Sequence, residues 1–251
     1  MMNPDISVIN NTEPSAFTIF NANGDSEVLL LCEHASNYIP ARYQRLGLTP
    51  QLLEEHISWD PGAAELARAL ALKLNAPLIL GNYSRLLIDL NRPLQAEDCI
   101  PLRSEHHDIP GNQTLTATER EWRTEQYYLP FHLQVSRLLD ARLQAGKATR
   151  VVGVHSFTPV YHGQSRPWEI GILYGEASDY AHLLIEGLSS HPLTVGDNQP
   201  YNIHPNEDMT VPVHGDARGL PAVLLEIRND LLRNEQQIAQ WATRLAPLLS
   251  I

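Results

Sequence analysis

Cysteine is scarce in this chain of 251 residues, which has only Cys32 and Cys99. Two distant thiols cannot build a disulfide framework and lack the spacing of a zinc-thiolate site, so free thiols in a reducing compartment are expected. Cations are few as well: 18 Lys and Arg stand against 29 Asp and Glu, giving a net charge of −11, and nowhere do they form a block. Nucleic acids and anionic membranes are bound by clustered cations, so neither is an expected partner. No apolar run approaches the roughly 18 residues of a membrane span. The segment Met1-Met-Asn-Pro-Asp5 does not have the charged-then-apolar form of a secretion signal, and a cytoplasmic protein is expected. Also missing are the helical zinc-protease motif, the Gly-x-Ser-x-Gly elbow, the P-loop and the dinucleotide glycine fingerprint. Serine-hydrolase, nucleotide and redox readings thereby lose their usual signatures. No repeat, low-complexity tract or linker divides the chain, and 43% hydrophobic content suffices for an ordinary core. A single domain over residues 1–251 is expected.

What is present is an alternation of short apolar runs with longer helical patterns. Strands are predicted at Phe17-Phe20, Glu27-Cys32, Pro77-Gly81, Leu86-Leu90, Arg150-His155, Glu169-Tyr174 and Ala222-Ile227. Helices are predicted at Pro50-Ile57, Pro61-Leu74, Ala117-Ala145, Ser178-Ser189 and Asn234-Leu249. This order favours βαβ units, hence an α/β fold with a mixed, mostly parallel sheet sandwiched by helices. Thr49-Pro50 and Asp60-Pro61 each put a capping oxygen before a proline suited to a first helical turn. Thr116 with Glu119 fits a capping box, Gly146 fits a left-handed helix stop, and Pro130 predicts a kink or break. The segments Gln95-Asn112 and Thr158-Pro167 are polar and irregular, as lids over a site would be.

Chemistry concentrates where the apolar runs end. His34 follows Val28-Leu-Leu-Leu-Cys32 and His155 follows Val151-Val-Gly-Val154, so both imidazoles are expected at the carboxyl edge of the sheet, where open α/β sheets bind ligands. Imidazole with a nearby carboxylate suits Zn²⁺, although another divalent ion would fit the same donors. A catalytic zinc needs a third protein ligand. Asp60 is the first choice and Glu33 the fallback, while Asp60 is equally readable as a plain N-cap. Ser156, small and next to His155, leaves room for substrate. Ser84-Arg85 and Asp89-Leu-Asn-Arg92 offer two guanidiniums and an amide. Arg92 with Asn91 could hold a substrate carboxylate and Arg85 could polarise a scissile carbonyl, unless these arginines only make surface ion pairs. Glu226 ends the run Ala222-Val-Leu-Leu225, where an unpaired carboxylate is costly. It is either a general base beside a metal-bound water or the partner of Arg228 in an internal ion pair. His214 could donate to an oxyanion or merely pack in a loop.

Six segments in this order resemble the N-formylglutamate amidohydrolase family: Cys32-Glu-His-Ala-Ser-Asn37, Trp59-Asp-Pro-Gly-Ala63, Ser84-Arg85 with Asp89-Leu-Asn-Arg-Pro93, Gly153-Val-His-Ser-Phe-Thr-Pro159, Asn198-Gln-Pro-Tyr201, and His214-Gly215 leading to Leu225-Glu-Ile-Arg-Asn-Asp230. They span nearly the whole chain. That family is distantly similar to the zinc carboxypeptidases and aspartoacylases, so the resemblance implies a zinc-carboxypeptidase/phosphorylase-hydrolase-like sheet sandwiched by helices. It implies that His34 and His155 correspond to the zinc histidines, that Asn91-Arg92 takes the place of a carboxylate-binding pair, and that Glu226-Ile-Arg228 takes the place of the segment bearing the general-base glutamate; Arg228 is a further candidate contact for the substrate carboxylate. Two positions depart from the pattern. Asn37 occupies the place of a glutamate ligand, and Glu33-His34 replaces a Pro-His pair. The expected function is a metal-dependent, zinc-using hydrolase acting on a small N-acyl amino acid of the N-formylglutamate kind. A metal-free binding protein for acidic amino acids and a small-peptide metallopeptidase are the alternatives.

Overall fold

The computed structural model describes residues 13–251. The segment Met1–Asp5, read above for a secretion signal, lies outside them. Eleven strands occur among the described residues: β1 (Phe17–Phe20), β2 (Val28–Cys32), β3 (Leu78–Gly81), β4 (Arg103–Ser104), β5 (His107–Asp108), β6 (Arg150–Phe157), β7 (Val160–Tyr161), β8 (Gln164–Ser165), β9 (Ile170–Leu173), β10 (Val195–Asp197) and β11 (Ala222–Arg228). The α-helices are α1 (Pro50–Leu53), α2 (Ala63–Leu74), α3 (Ala117–Arg123), α4 (Leu129–Gln144), α5 (Ser178–Ser189) and α6 (Glu235–Leu249). Seven strands form one sheet in the order β1-β3-β2-β6-β11-β9-β10. Strands β3, β2, β6 and β11 run parallel; β1 and β9 join antiparallel, and β10 runs parallel to β9. The result is the expected mixed, mostly parallel α/β sheet with helices on its two faces.

The apolar runs are unbroken because both faces of the sheet are covered. In β2, Val28, Leu30 and Cys32 pack on the layer built from α2, α5 and α6, while Leu29 and Leu31 face the layer that contains α4. The same alternation in β11 sends Val223, Leu225 and Ile227 to the first layer and Leu224 to the second. Glu226 therefore lies on the α4 side, directly opposite His155 in the β6–β11 register.

Several boundaries differ from expectation for physical reasons. Leu86–Leu90 is not a strand: Ser84 starts a turn, its Oγ accepting from Leu86 N at 3.2 Å, and the apolar side chains that follow plug the second core layer instead of extending the sheet. No strand is predicted at the short β10, nor in Gln95-Asn112 and Thr158-Pro167, where β4–β5 and β7–β8 pair as two-residue hairpins instead of staying irregular. Only Pro50–Leu53 of the first predicted helix is helical. Helix α2 starts at Ala63, with Gly62 at its N-cap in the left-handed region (φ +82°). Asp60 is therefore not that cap, and its carboxylate is free for other partners. The long helix breaks as Pro130 requires: a wide π-type turn, in which Leu129 N–H reaches back to Thr124 O, separates α3 from α4. Thr116 caps α3 through Glu119 N, and Gly146 follows α4 with φ +65°. Strands β6 and β11 run on to Phe157 and Arg228, slightly past the predicted ends at His155 and Ile227, so His155 and Glu226 lie within the last pleats of their strands. No helix among the described residues is long and apolar enough to cross a membrane.

Candidate active site

Three segments converge at the carboxyl edge of the parallel strands. His34 follows β2, His155 lies in β6, and Asp60 comes from the turn before α2; all three are buried. The backbone holds them in place. Asp60 N donates to His34 O at 3.0 Å, and Ser156 N donates to Asp60 Oδ2 at 3.2 Å. Both imidazoles turn Nδ1 toward the same carboxylate oxygen, at 3.0 Å for His155 and 3.4 Å for His34. Each Nε2 is engaged by a different acid: Asp89 Oδ1 lies 2.7 Å from His34 Nε2, and Glu33 Oε2 lies 2.8 Å from His155 Nε2. The rings meet edge to face with centroids 4.7 Å apart.

These three residues could hold a metal ion. One donor atom from each lies within 4.8 Å of the others, and His34 Nδ1 is buried without a hydrogen-bond partner. A carboxylate on the far nitrogen fixes the tautomer that leaves Nδ1 available as a ligand, a common arrangement around bound zinc. Glu33 is turned away from this point, because its other oxygen contacts the Thr210 hydroxyl. It thus supports His155 rather than supplying a third donor.

The charges follow from this packing. Burial would raise Glu33, but hydrogen bonds from His155 and Thr210 and the nearby imidazoles bring its carboxyl down to about 2. Burial likewise opposes the ionised form of Asp60, and the same two imidazoles overcome it, holding the carboxyl far below its usual range. Burial disfavours a charged His155, yet Asp60 and Glu33 on its two nitrogens hold its pKa well above normal. A ligating imidazole nitrogen must be unprotonated, so a cation bound between His155 and Asp60 would take the place of a proton there.

Around this centre is a cavity of 560 Å³, whose lining includes Arg85, Asn91, Arg92, Ser156, Tyr201 and Glu226. Arg85 donates to Asp89 Oδ2 from Nε (3.1 Å) and from one terminal nitrogen (2.8 Å), and stands 3.4 Å from Asp60 Oδ1. Asn91 uses its side-chain oxygen to accept from the Met209 and Thr210 amides. Arg92 pairs with Asp98 at 2.8 Å and with Asp208 at 2.7 Å. Ser156 Oγ donates to Pro61 O. Glu226 is buried, its Oε2 has no hydrogen-bond partner, and burial lifts its carboxyl to about 7; repulsion from Asp60 adds to this, while His155, His34 and Arg85 oppose it.

Two expected residues are elsewhere. Arg228 does not line the cavity and pairs with Asp230 at 2.8 Å, so it is not the partner of Glu226 either. His214 is likewise absent from the lining: its ring stacks on His132, with Nε2 2.9 Å from His132 Nδ1. Sequence reasoning gave no role to Asp89, Thr210 or Tyr201. Asp89 and Tyr201 lie within segments noted above, but Thr210 carries no local signal.

The family model described as N-formylglutamate amidohydrolase matches residues 26–233. No curated protein sequence matches the chain. Among solved structures, a gene product of Agrobacterium tumefaciens is 43% identical, with 94% of each chain covered and a TM-score of 0.91. An N-formylglutamate amidohydrolase from Ralstonia eutropha shares the fold at 18% identity, with 93% of this chain and 95% of that chain covered and a TM-score of 0.69. The family match takes in every one of the converging residues, from Glu33 to Glu226, and on it the chain belongs to the N-formylglutamate amidohydrolase family.

Proposed function

We propose that the chain folds as one catalytic domain and is a zinc-dependent amidohydrolase that cleaves the linear amide of a small N-acyl amino acid of the N-formylglutamate kind. The family carries the reaction class. The metal reading rests on one observation: His34 and His155 both present Nδ1 to Asp60 while Asp89 and Glu33 engage their Nε2 atoms. Bound among His34, Asp60 and His155, a divalent ion would act as a Lewis acid toward a carbonyl and lower the pKa of water. Glu226, with a carboxyl near neutrality and in register opposite His155, would take the proton of the attacking water and return it to the leaving nitrogen. Arg85 sets a positive charge where the carbonyl oxygen gains negative charge. Arg92 holds the substrate carboxylate. Of its two partners Asp208 is mostly buried and stays in place, whereas Asp98 is 61% exposed, and a surface pair of that kind contributes under about 1 kcal/mol, so exchange of Asp98 for a substrate anion is cheap. Asn91 fixes the same loop to the Met209–Thr210 backbone, and Ser156 leaves space beside His155. His214 and Arg228 take no part at the reacting atoms.

The test is formate release from N-formyl-L-glutamate and a panel of other N-acyl amino acids and dipeptides, alongside metal content. Hydrolysis that needs zinc and disappears in His34→Ala is the expected result. A metal-free protein that binds glutamate without hydrolysing any amide would overturn the enzyme reading, and activity confined to dipeptides would make it a peptidase.

A further inference from the structure

The segments expected as lids form two small hairpins, β4–β5 and β7–β8. Their turns carry a second group of metal-binding side chains, which shares no residue with the first. The β4–β5 turn presents Glu105 and His106, and the β7–β8 turn presents His162. One donor atom from each of these three lies within 4.8 Å of the others. The two imidazoles meet edge to face at 4.9 Å between centroids, and His106 Nε2 stands 3.7 Å from Glu105 Oε1. The carboxylate is held from two further sides: His162 N donates to Oε1 at 3.0 Å, and His56 Nε2 lies 3.0 Å from Oε2. That His56 nitrogen is buried and makes no hydrogen bond of good geometry.

Pairing with Glu105 accounts for one imidazole at most; the close approach of His106 and His162 to each other gains little without a shared ligand, because two protonated imidazoles repel and two neutral ones attract only weakly. Two imidazoles and one carboxylate are, by contrast, a borderline donor set suited to zinc and neighbouring divalent ions. The side chain of Glu105 is mostly buried while that of His106 is 61% exposed, so such a site would be open to solvent on one side. Glu105 also lines the cavity, as do Ser104 and Tyr161 next to the ligands in sequence.

We propose that Glu105, His106 and His162, with His56 supporting the carboxylate, form a second divalent-metal site that ties the two hairpins together at the rim of the cavity. The site is separate from the reacting atoms, and its occupancy orders the rim. Because it uses none of the residues at the sheet edge, it stands or falls independently of the proposed hydrolase function.

The full chain is dialysed against micromolar free Zn²⁺ and the bound metal counted, with hydrogen exchange followed at residues 103–108 and 160–165. Two equivalents are expected in the wild type, and one each in His34→Ala and in the His106→Ala/His162→Ala double variant. Zinc should slow exchange of both hairpins in the wild type and in His34→Ala, and leave it unchanged in the double variant. A single equivalent in the wild type that survives in the double variant overturns this site and leaves the sheet-edge site intact. Two equivalents persisting in the double variant, or zinc-independent exchange of the hairpins in all three proteins, also overturns it.

Discussion

Replacing Asp89 by Asn removes one negative charge and almost no volume, and we predict that it weakens metal binding at the sheet edge without unfolding the protein. Asp89 accepts from every side: Oδ1 from His34 Nε2 at 2.7 Å and from Asn91 N at 2.8 Å, and Oδ2 from Arg85 at 2.8 and 3.1 Å. An amide has only one acceptor oxygen. If its NH₂ faces Arg85, donors oppose donors; if it faces His34, the imidazole must accept at Nε2 and carry its proton on Nδ1. The second outcome places that proton where the metal would bind. Loss of such a supporting partner costs metal affinity roughly 10- to 100-fold, or about 1.4 to 2.7 kcal/mol. The Arg85 guanidinium loses one partner but keeps Asp60 nearby and is about a quarter exposed, which limits the loss of stability. Competition for Zn²⁺ against a chelator measures the affinity, with thermal unfolding as the control. Asp98→Asn, which removes an exposed partner of Arg92, serves as the neutral comparison and should leave metal affinity unchanged. Wild-type zinc affinity in Asp89→Asn would refute the assignment of Nδ1 as the donor of His34.

Three further predictions concern the base, the buried histidine pair and the turn before α2. Glu226→Gln should keep zinc and substrate affinity while kcat falls roughly 10²- to 10⁴-fold. Wild-type turnover should decline as pH falls through about 7 or somewhat below, because Glu226 must be ionised and a bound cation lowers its pKa, and the variant should lack that limb; a normal kcat contradicts the role. Burial, with mutual repulsion, holds His132 down to about 3, and burial holds His214 down to about 4. Both lie below the unfolded value of about 6.5, so their neutral forms contribute stability that is complete above pH ~6.5 and is lost as pH falls through the folded values. At about 1.4 kcal/mol per pH unit this amounts to several kcal/mol, and urea unfolding of His132→Gln should show a shallower acid slope; an unaltered slope would show that the ring is not buried neutral. Gly62→Ala should destabilise by about 2 kcal/mol or more, since a Cβ would sit 2.4 Å from Leu232 Cβ at a left-handed φ of +82°. An unchanged urea midpoint would show that this turn yields without strain, and zinc affinity reports whether Asp60 moves with it.

The sheet was legible because apolar runs such as Val28–Cys32 and Ala222–Leu225 record burial on both faces, a property local sequence carries directly. His34, His155 and Glu226 stood out for the same reason: each is a polar residue that follows such a run, and a parallel sheet brings those ends to one edge. Leu86–Leu90 misled by the same rule, since an apolar run reports burial and not the hydrogen bonding that makes a strand.

Local sequence could not divide the work among Glu33, Asp60 and Asp89. An Asp before a proline has the same pattern whether it caps a helix or faces two imidazoles, and only the left-handed Gly62, packed on Leu232, moves the cap away from Asp60. Likewise, the pairing of Glu33 with His155 spans 122 residues and that of Asp89 with His34 spans 55. The order of residues thus fixed which side chains would arrive at the edge, through burial. Which nitrogen each imidazole turns inward, and which acid stands behind it, was decided by contacts that exist only once the distant loops have packed.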